Sequence, residues 1–174
     1  MFRSFYPDHR KRSAYEIPFE ALYQKGYRGV IFDIDNTLVE HGADADERAV
    51  ALFERLKKIG FQSCLLSNND QERVERFNRQ IQTNSIWKAG KPARKNYLHA
   101  MELMSTTTEN TLFVGDQLFT DVWGAKRTGI TNILVSPIDP KEEIQIVIKR
   151  YFEKIVLYFY KKDMQKKRRM ESLR

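Results

Sequence analysis

The sequence predicts an α/β fold, a doubly wound, mostly parallel sheet of Rossmann type. Three observations carry this expectation. Short apolar runs recur along the chain (GVIFDID, FQSCLLS, TLFVGD, ITNILVS), with the unbroken hydrophobicity of strands buried on both faces. Segments of helical periodicity that end in glycine alternate with them. The connections are short, and strand–helix alternation with short connections favours parallel pairing. At 174 residues, the chain fits one domain with a sizeable core.

In order, IPFEALYQKGYRG reads as a short helix with Pro18 near its first turn and Gly26 at its end. GVIFDID is the first strand expected. DERAVALFERLKKIG places Val50, Leu52, Phe53 and Leu56 near helical spacing and stops at Gly60. The strand FQSCLLS follows, then the charged helix DQERVERFNRQI. SIWKAG reads as a short third strand, and Pro92 starts the helix PARKNYLHAMELM. TLFVGD is a fourth strand, TDVWGAKRTG a helix stopped by Gly129, and ITNILVS a fifth strand. A last helix, about residues 141–160, gathers Ile144, Val147, Tyr151, Phe152, Ile155 and Phe159 within half of its circumference. Such a face suits packing on the sheet or contact with a membrane surface.

Composition bounds the function. With 41% hydrophobic and 30% charged residues the chain has the make-up of a soluble globular protein. Cys64, its single cysteine, excludes an internal disulfide framework, suits a reducing compartment, and is expected to be buried and inert. There is no apolar run of membrane-spanning length and no export signal, so a cytoplasmic location is expected. The net charge of +7 sits at the ends: residues 1–13 carry +3, residues 161–174 carry +5, and the stretch between is close to neutral. The expected organisation is therefore a basic N-terminal segment (1–13), a domain (14–160) and a basic tail (161–174). Basic ends suit anionic partners, either lipid head groups or nucleic acid, and equally suit solvated termini.

The chemistry starts at FDIDNTLV. In a strand Asp33 and Asp35 share a face, and two like charges at the rim of a core are costly unless compensated. In a doubly wound sheet, ligands sit at the carboxyl ends of the strands. Asp33, Ser67 and Asp116 fall at such ends, and Lys91 follows the third strand. A divalent cation would hold the carboxylates together, and an all-oxygen site favours Mg²⁺. Asp33 and Asp116 are the natural pair, with Asp121 on the following turn. A carboxylate there can attack phosphorus to give an aspartyl-phosphate, while an acid one residue away protonates the leaving oxygen and then activates water. Ser67 would hold the phosphoryl group by hydrogen bonding and Lys91 as a point charge. Lys91 is preferred to Lys88 because Pro92 puts it before a helix start, where an anion also meets free N–H groups. His41 is expected to be solvent-exposed on a flap.

DIDNT, Ser67, Lys91 in GKP and GDQLFTD, in this order, resemble the four motifs of the haloacid dehalogenase (HAD) superfamily. The resemblance implies that Asp33 is the nucleophile and a metal ligand. It implies that Asp35 is the general acid/base and ligates the metal through its backbone carbonyl. Asp116 would be a metal ligand, Asp121 a supporting or alternative one, and Ser67, Asn68 and Lys91 would bind phosphate. An acid at position 35 points to phosphoester hydrolysis within the superfamily.

The 31 residues between Asp35 and Ser67 and the 23 between Ser67 and Lys91 leave no room for a cap domain. The site is therefore expected to be open, which suits large or surface-bound phosphoesters. YEIPFEALYQKGYRGVIFDIDNTLV, LLSNND, KAGKP and VGDQLFTDVWGAKRTG are similar to the YqeG-like group of capless phosphatases. That group is similar in turn to the phosphatases that convert phosphatidylglycerophosphate to phosphatidylglycerol. The substrate so implied is an anionic phospholipid, met by peripheral contact at the inner face of a membrane. A soluble phosphomonoester, a phosphoprotein, or an RNA- or ribosome-binding role for the basic ends are the alternatives.

Overall fold

The computed structural model describes residues 2–139 and 144–171, and the side chains of these except 144–150 and 170. Six parallel strands form one sheet, as the strand–helix alternation predicts. They are β1 (His9–Arg10), β2 (Gly29–Phe32), β3 (Gln62–Leu66), β4 (Asn84–Ile86), β5 (Thr111–Gly115) and β6 (Thr131–Leu134), in the spatial order β1-β6-β5-β2-β3-β4. From β2 the chain winds outward through β3 and β4, then returns to the other side of β2 for β5. The order therefore reverses between β2 and β5, and the carboxyl ends of these two strands flank the crevice where such sheets bind ligands.

The helices are α1 (Phe19–Gln24), α2 (Glu47–Ile59), α3 (Gln71–Ile81), α4 (Lys95–Met104), α5 (Trp123–Thr128) and α6 (Ile144–Glu171). Their ends follow local chemistry. Asp46 and Asp70 cap α2 and α3 by accepting the Ala49 and Arg73 N–H groups at 2.8 and 2.9 Å, and Gly60 ends α2 at φ 105°. Strand side chains alternate between two buried layers. Val30, Phe32, Leu65, Leu112 and Val114 pack with Leu52, Phe53 and Phe77 on one face. Ile31, Cys64, Leu66 and Phe113 pack with Tyr97, Ala100 and Met101 on the other. Burial also pushes the Cys64 thiol up to about 12, which keeps it protonated and unreactive.

No domain is inserted at either position that could have held a cap. Residues 33–46 form a loop that folds back on itself through the Asp35–Val39 bridge, and residues 67–91 are occupied by α3, β4 and their connections.

Four features differ from expectation. β1 lies inside the basic N-terminal segment and joins the sheet edge beside β6; a two-residue strand has no periodicity to read. α4 starts at Lys95, after Arg94, so Pro92 lies in the preceding loop and does not open the helix. The turn expected to begin the helix at 120–129 is a π-helical segment, Leu118–Val122, which leads into α5. Finally, α6 continues through the basic stretch to Glu171, because Lys, Arg, Gln, Met and Glu are good helix formers and no glycine or proline interrupts them. Residues 141–143 and 172–174 of the expected helix and tail lie outside the described residues. Among the described residues no helix is long and apolar enough to cross a membrane.

Candidate active site

Two adjacent strand ends build the centre. β2 pairs with β5, and the Asp33 N–H extends their ladder by donating to the Val114 carbonyl at 3.0 Å. Asp33 and Asp116 thus emerge side by side, both nearly fully buried. Asp121 joins them from the π-helical segment, whose wide turn brings its carboxylate back over Gly115. A Cβ on Gly115 would collide with that carboxylate, so the glycine of the VGD stretch is required by contact. Asp33, Asp116 and Asp121 each offer an oxygen within 4.8 Å of the others.

Lys91 bridges two of them. Its Nζ donates to Asp33 Oδ1 at 2.7 Å and to Asp121 Oδ1 at 2.8 Å. Its side chain is 3% exposed. Asn68 fixes the lysine from behind: its Oδ1 accepts the Lys91 N–H at 2.8 Å and its Nδ2 donates to the Lys91 carbonyl at 3.3 Å. Asp116 Oδ1 accepts the Thr37 hydroxyl at 3.3 Å, and Asp121 Oδ2 accepts the Gln117 N–H at 3.1 Å.

One lysine does not balance three carboxylates. Burial pushes the Asp33 carboxyl up to about 7; Lys91 opposes this, and the facing Asp121 adds to it. Burial works against the Lys91 ammonium as well, but Asp121 and Asp33 outweigh it and hold its pKa above the ordinary value. A buried all-carboxylate cluster with residual negative charge fits a hard divalent cation, and HAD phosphatases generally use one.

Asp35 faces a different set of partners, although only one residue separates it from Asp33. Its Oδ1 accepts the Gly42 N–H at 2.8 Å and Arg73 Nη2 at 2.9 Å, and its Oδ2 accepts Asn69 Nδ2. Its carboxylate therefore lies outside the three-aspartate cluster, turned towards α3.

A cavity of about 180 Å³ opens above these groups and is lined by Asp33, Asp35, Ser67, Asn68, Lys91 and His41 among others. Ser67 lines it from just beyond the end of β3, with its Oγ accepting the Asn69 N–H at 3.2 Å. His41 is solvent-exposed and at the same time borders this cavity, whereas Lys88 is exposed and away from it. Asp33, Asp35, Ser67, Asn68, Lys91, Asp116 and Asp121 are thus brought to one edge of the sheet.

Sequence reasoning missed the residues that hold them. Asn69 lies in the turn just before the stretch that reads as a charged helix, and Arg73 lies within that stretch. Tyr97 Oη donates to the Thr120 carbonyl at 3.0 Å, and burial raises the pKa of its phenol so that it stays a donor. Glu153 of α6, nearly fully buried, accepts the Leu118 N–H at 2.6 Å and so caps the segment that carries Asp121. No sequence signal marks these contacts, because each depends on how a helix docks.

Residues 88–137, which span Lys91, Asp116 and Asp121, match the family model described as HAD-hydrolase-like. The chain is 34% identical over 154 residues to the probable phosphatase YqeG of Bacillus subtilis, covering 88% of this chain and 90% of that protein. It is 27% identical over 141 residues to phosphatidylglycerophosphate phosphatase 1 of Arabidopsis thaliana, covering 75% of this chain and 40% of the plant protein. Its fold is that of a HAD-superfamily hydrolase from Ehrlichia chaffeensis, with a TM-score of 0.52, 15% identity, and coverage of 74% of this chain and 97% of the other. Identity at this level across nearly the whole of both chains, on a HAD-like sheet, means that the chain belongs to the HAD superfamily and is a phosphatase.

Proposed function

We propose that this phosphatase is Mg²⁺-dependent, works through an aspartyl-phosphate on Asp33, and dephosphorylates phosphatidylglycerophosphate to phosphatidylglycerol. The observation that carries the mechanism is the Asp33 carboxylate held by Lys91 at the β2–β5 crevice, with Asp35 beside it under separate control. Asp33, Asp116 and the Asp35 backbone carbonyl would hold the cation, with Asp121 in support. The cation would neutralise the cluster and favour the ionised Asp33 that attack on phosphorus requires.

In the first step an Asp33 oxygen attacks phosphorus, the bond from phosphorus to the leaving alkoxide breaks, and Asp35 gives that oxygen its proton. In the second step water attacks the same phosphorus, Asp35 takes the water proton, and the Asp33–phosphorus bond breaks to release phosphate. Lys91 and Ser67 hold the transferring phosphoryl oxygens throughout. Asn68, whose side chain is committed to the Lys91 backbone, contributes by fixing that lysine at the cavity wall.

The cavity supports a substrate whose bulk stays outside. At about 180 Å³ it admits a phosphoryl group and falls below the usual size of a small-ligand site, roughly 300–1,000 Å³. The plant relative's activity, and a face of α6 suited to an anionic bilayer, favour a lipid. Tyr151, Phe152, Ile155, Tyr158 and Phe159 are exposed on the side of α6 away from Glu153 and Leu157. The same side continues through the exposed Lys162, Lys166 and Arg169. Aromatic and aliphatic groups followed by basic ones suit peripheral contact with anionic lipid.

The test is phosphate release from phosphatidylglycerophosphate in mixed micelles, run beside soluble phosphomonoesters and phosphopeptides. Faster turnover of the lipid is expected. Turnover confined to soluble esters would refute the lipid assignment and leave the reaction standing. Flotation with phosphatidylglycerol vesicles is expected to fail for a chain truncated after residue 160; RNA binding lost in its place would favour the nucleic-acid reading.

A further inference from the structure

Arg73 reaches Asp35 from the first turn of α3, and the pair is almost closed to solvent. The Arg73 and Asp35 side chains are 10% and 12% exposed. The guanidinium carbon lies 5.7 Å from the Phe77 ring centroid, and its Nε and Nη1 are buried with no acceptor among the described residues. Buried donors left unmatched are costly, so this arginine is poorly placed as a stabilising residue. What it does have is a 2.9 Å hydrogen bond from Nη2 to Asp35 Oδ1. The next turn reinforces the arrangement. Arg76 Nη2 donates to the Gly42 carbonyl and Arg76 Nε to Asp44 Oδ1, both at 2.7 Å, and the Gly42 N–H is itself a donor to Asp35 Oδ1. Helix α3 thus ties down both the aspartate and the loop opposite it.

The donors have a countable consequence. An ionised carboxylate offers about four acceptor positions. Arg73 and Gly42 occupy both positions on Oδ1, and Asn69 occupies one on Oδ2. Among the described residues, that leaves one position on Oδ2 for a mobile proton. Asp35 borders the cavity that Asp33 and Lys91 also line, and a side chain with two free torsions is thereby left with one oxygen open to proton exchange.

We propose that Arg73 is a positioning residue for this phosphatase: with Asn69 and Gly42 it confines proton transfer to Asp35 Oδ2, towards the leaving oxygen. The proposal rests on the reading of Asp35 as the general acid/base. When Asp35 gives its proton to the leaving alkoxide it becomes the carboxylate that Arg73 and Gly42 already satisfy. When it takes a proton from water in the second step, the proton returns to the same oxygen.

The test compares leaving groups. A phenol bearing a nitro group departs with little help, whereas phenol itself and alcohols need a proton. Wild type, Arg73→Gln, Arg73→Lys, Asn69→Ala and Asp35→Asn are assayed on 4-nitrophenyl phosphate, phenyl phosphate and an alkyl phosphate. Arg73→Gln is expected to lose about 10–100-fold in kcat/KM on the poorest leaving group and less than about 3-fold on the best, a fraction of the 10²–10⁴-fold typical for general acid catalysis. Arg73→Lys restores part of the loss, and Asn69→Ala shifts the same slope by less. The ratio of rates on two esters, taken on one preparation, does not depend on the folded fraction, so partial misfolding of a variant leaves it readable. An equal loss on all esters, or no loss on any, in Arg73→Gln overturns the proposal if Asp35→Asn shows the leaving-group dependence. If Asp35→Asn lacks that dependence, the acid/base reading of Asp35 falls, and the role given to Arg73 falls with it.

Discussion

Asp33 and Asp35 are separated by one residue, yet they stand in opposite environments. Asp33 looks into the sheet, where Asp116 and Asp121 surround it, Lys91 is its charge partner, and burial pushes its carboxyl up to about 7. Asp35 looks towards α3, where an arginine, an amide and a backbone N–H satisfy both its oxygens. On the proposed mechanism, the difference lets one motif supply two roles. A nucleophile needs an excess of negative charge gathered around a cation, and a proton carrier needs fixed donors that leave one lone pair free. Chain direction alone separates the two: the strand ends at Phe32, and the loop that begins at Asp33 turns the second aspartate towards a different helix.

The largest expected effect breaks the Asp33 side. Asp33→Asn should lower kcat by more than about 10³-fold while leaving the circular dichroism spectrum unchanged, because it removes the proposed nucleophile and little volume. Near-normal turnover would reject Asp33 as the attacking group. Lys91→Met should follow, with about 10²–10³-fold lost in kcat as the phosphoryl group loses its charge partner. It should also destabilise the fold by about 3–5 kcal/mol in denaturant titration, because buried carboxylates are left unpaired. Retained stability would mean that water reaches the cluster.

Gly115→Ala disturbs only the approach of Asp121. It should raise the Mg²⁺ concentration for half-maximal activity by about 10–100-fold, the usual cost of disturbing a metal site's supporting contacts. Thermal shift with Mg²⁺ provides a readout independent of turnover, and unchanged metal dependence would remove Asp121 from the site.

The pH dependence of stability sharpens the comparison with the smallest effect. For Asp33 the folded value of about 7 lies above the ordinary 3.8. Between these limits the folded chain holds a proton that the unfolded chain has released, so Asp33 makes stability fall as pH rises from about 4 to 7. Metal-depleted protein should therefore lose melting temperature over this window, Asp33→Asn should flatten the decline, and Mg²⁺ at pH 8 should reverse it. A melting temperature that rises through the window in wild type and mutant alike would deny Asp33 a strained carboxyl.

Much of this molecule is legible without coordinates. The apolar runs and glycine stops specify five of the six strands and the helices between them, because burial on both faces demands unbroken hydrophobicity and helix ends demand particular residues. Asp33, Ser67, Lys91 and Asp116 could be placed at one edge because, in a parallel sheet, every strand ends on the same side. The same reasoning fails at Pro92, where a plausible helix start lies in a loop, and at β1, which is too short to carry a period.

What the sequence by itself determined is therefore the sheet, its active edge and the identities of the acids gathered there, since these follow from local pattern and strand direction. Only the tertiary structure decided which partner each acid receives. Asp121 reaches the cluster through a π-helical turn over a bare glycine, Glu153 arrives from a helix 35 residues away in the chain, and Arg73 meets Asp35 across 38. Such contacts depend on the angle at which helices dock on the sheet. That angle is set by packing summed over many side chains and is written in no single stretch of residues.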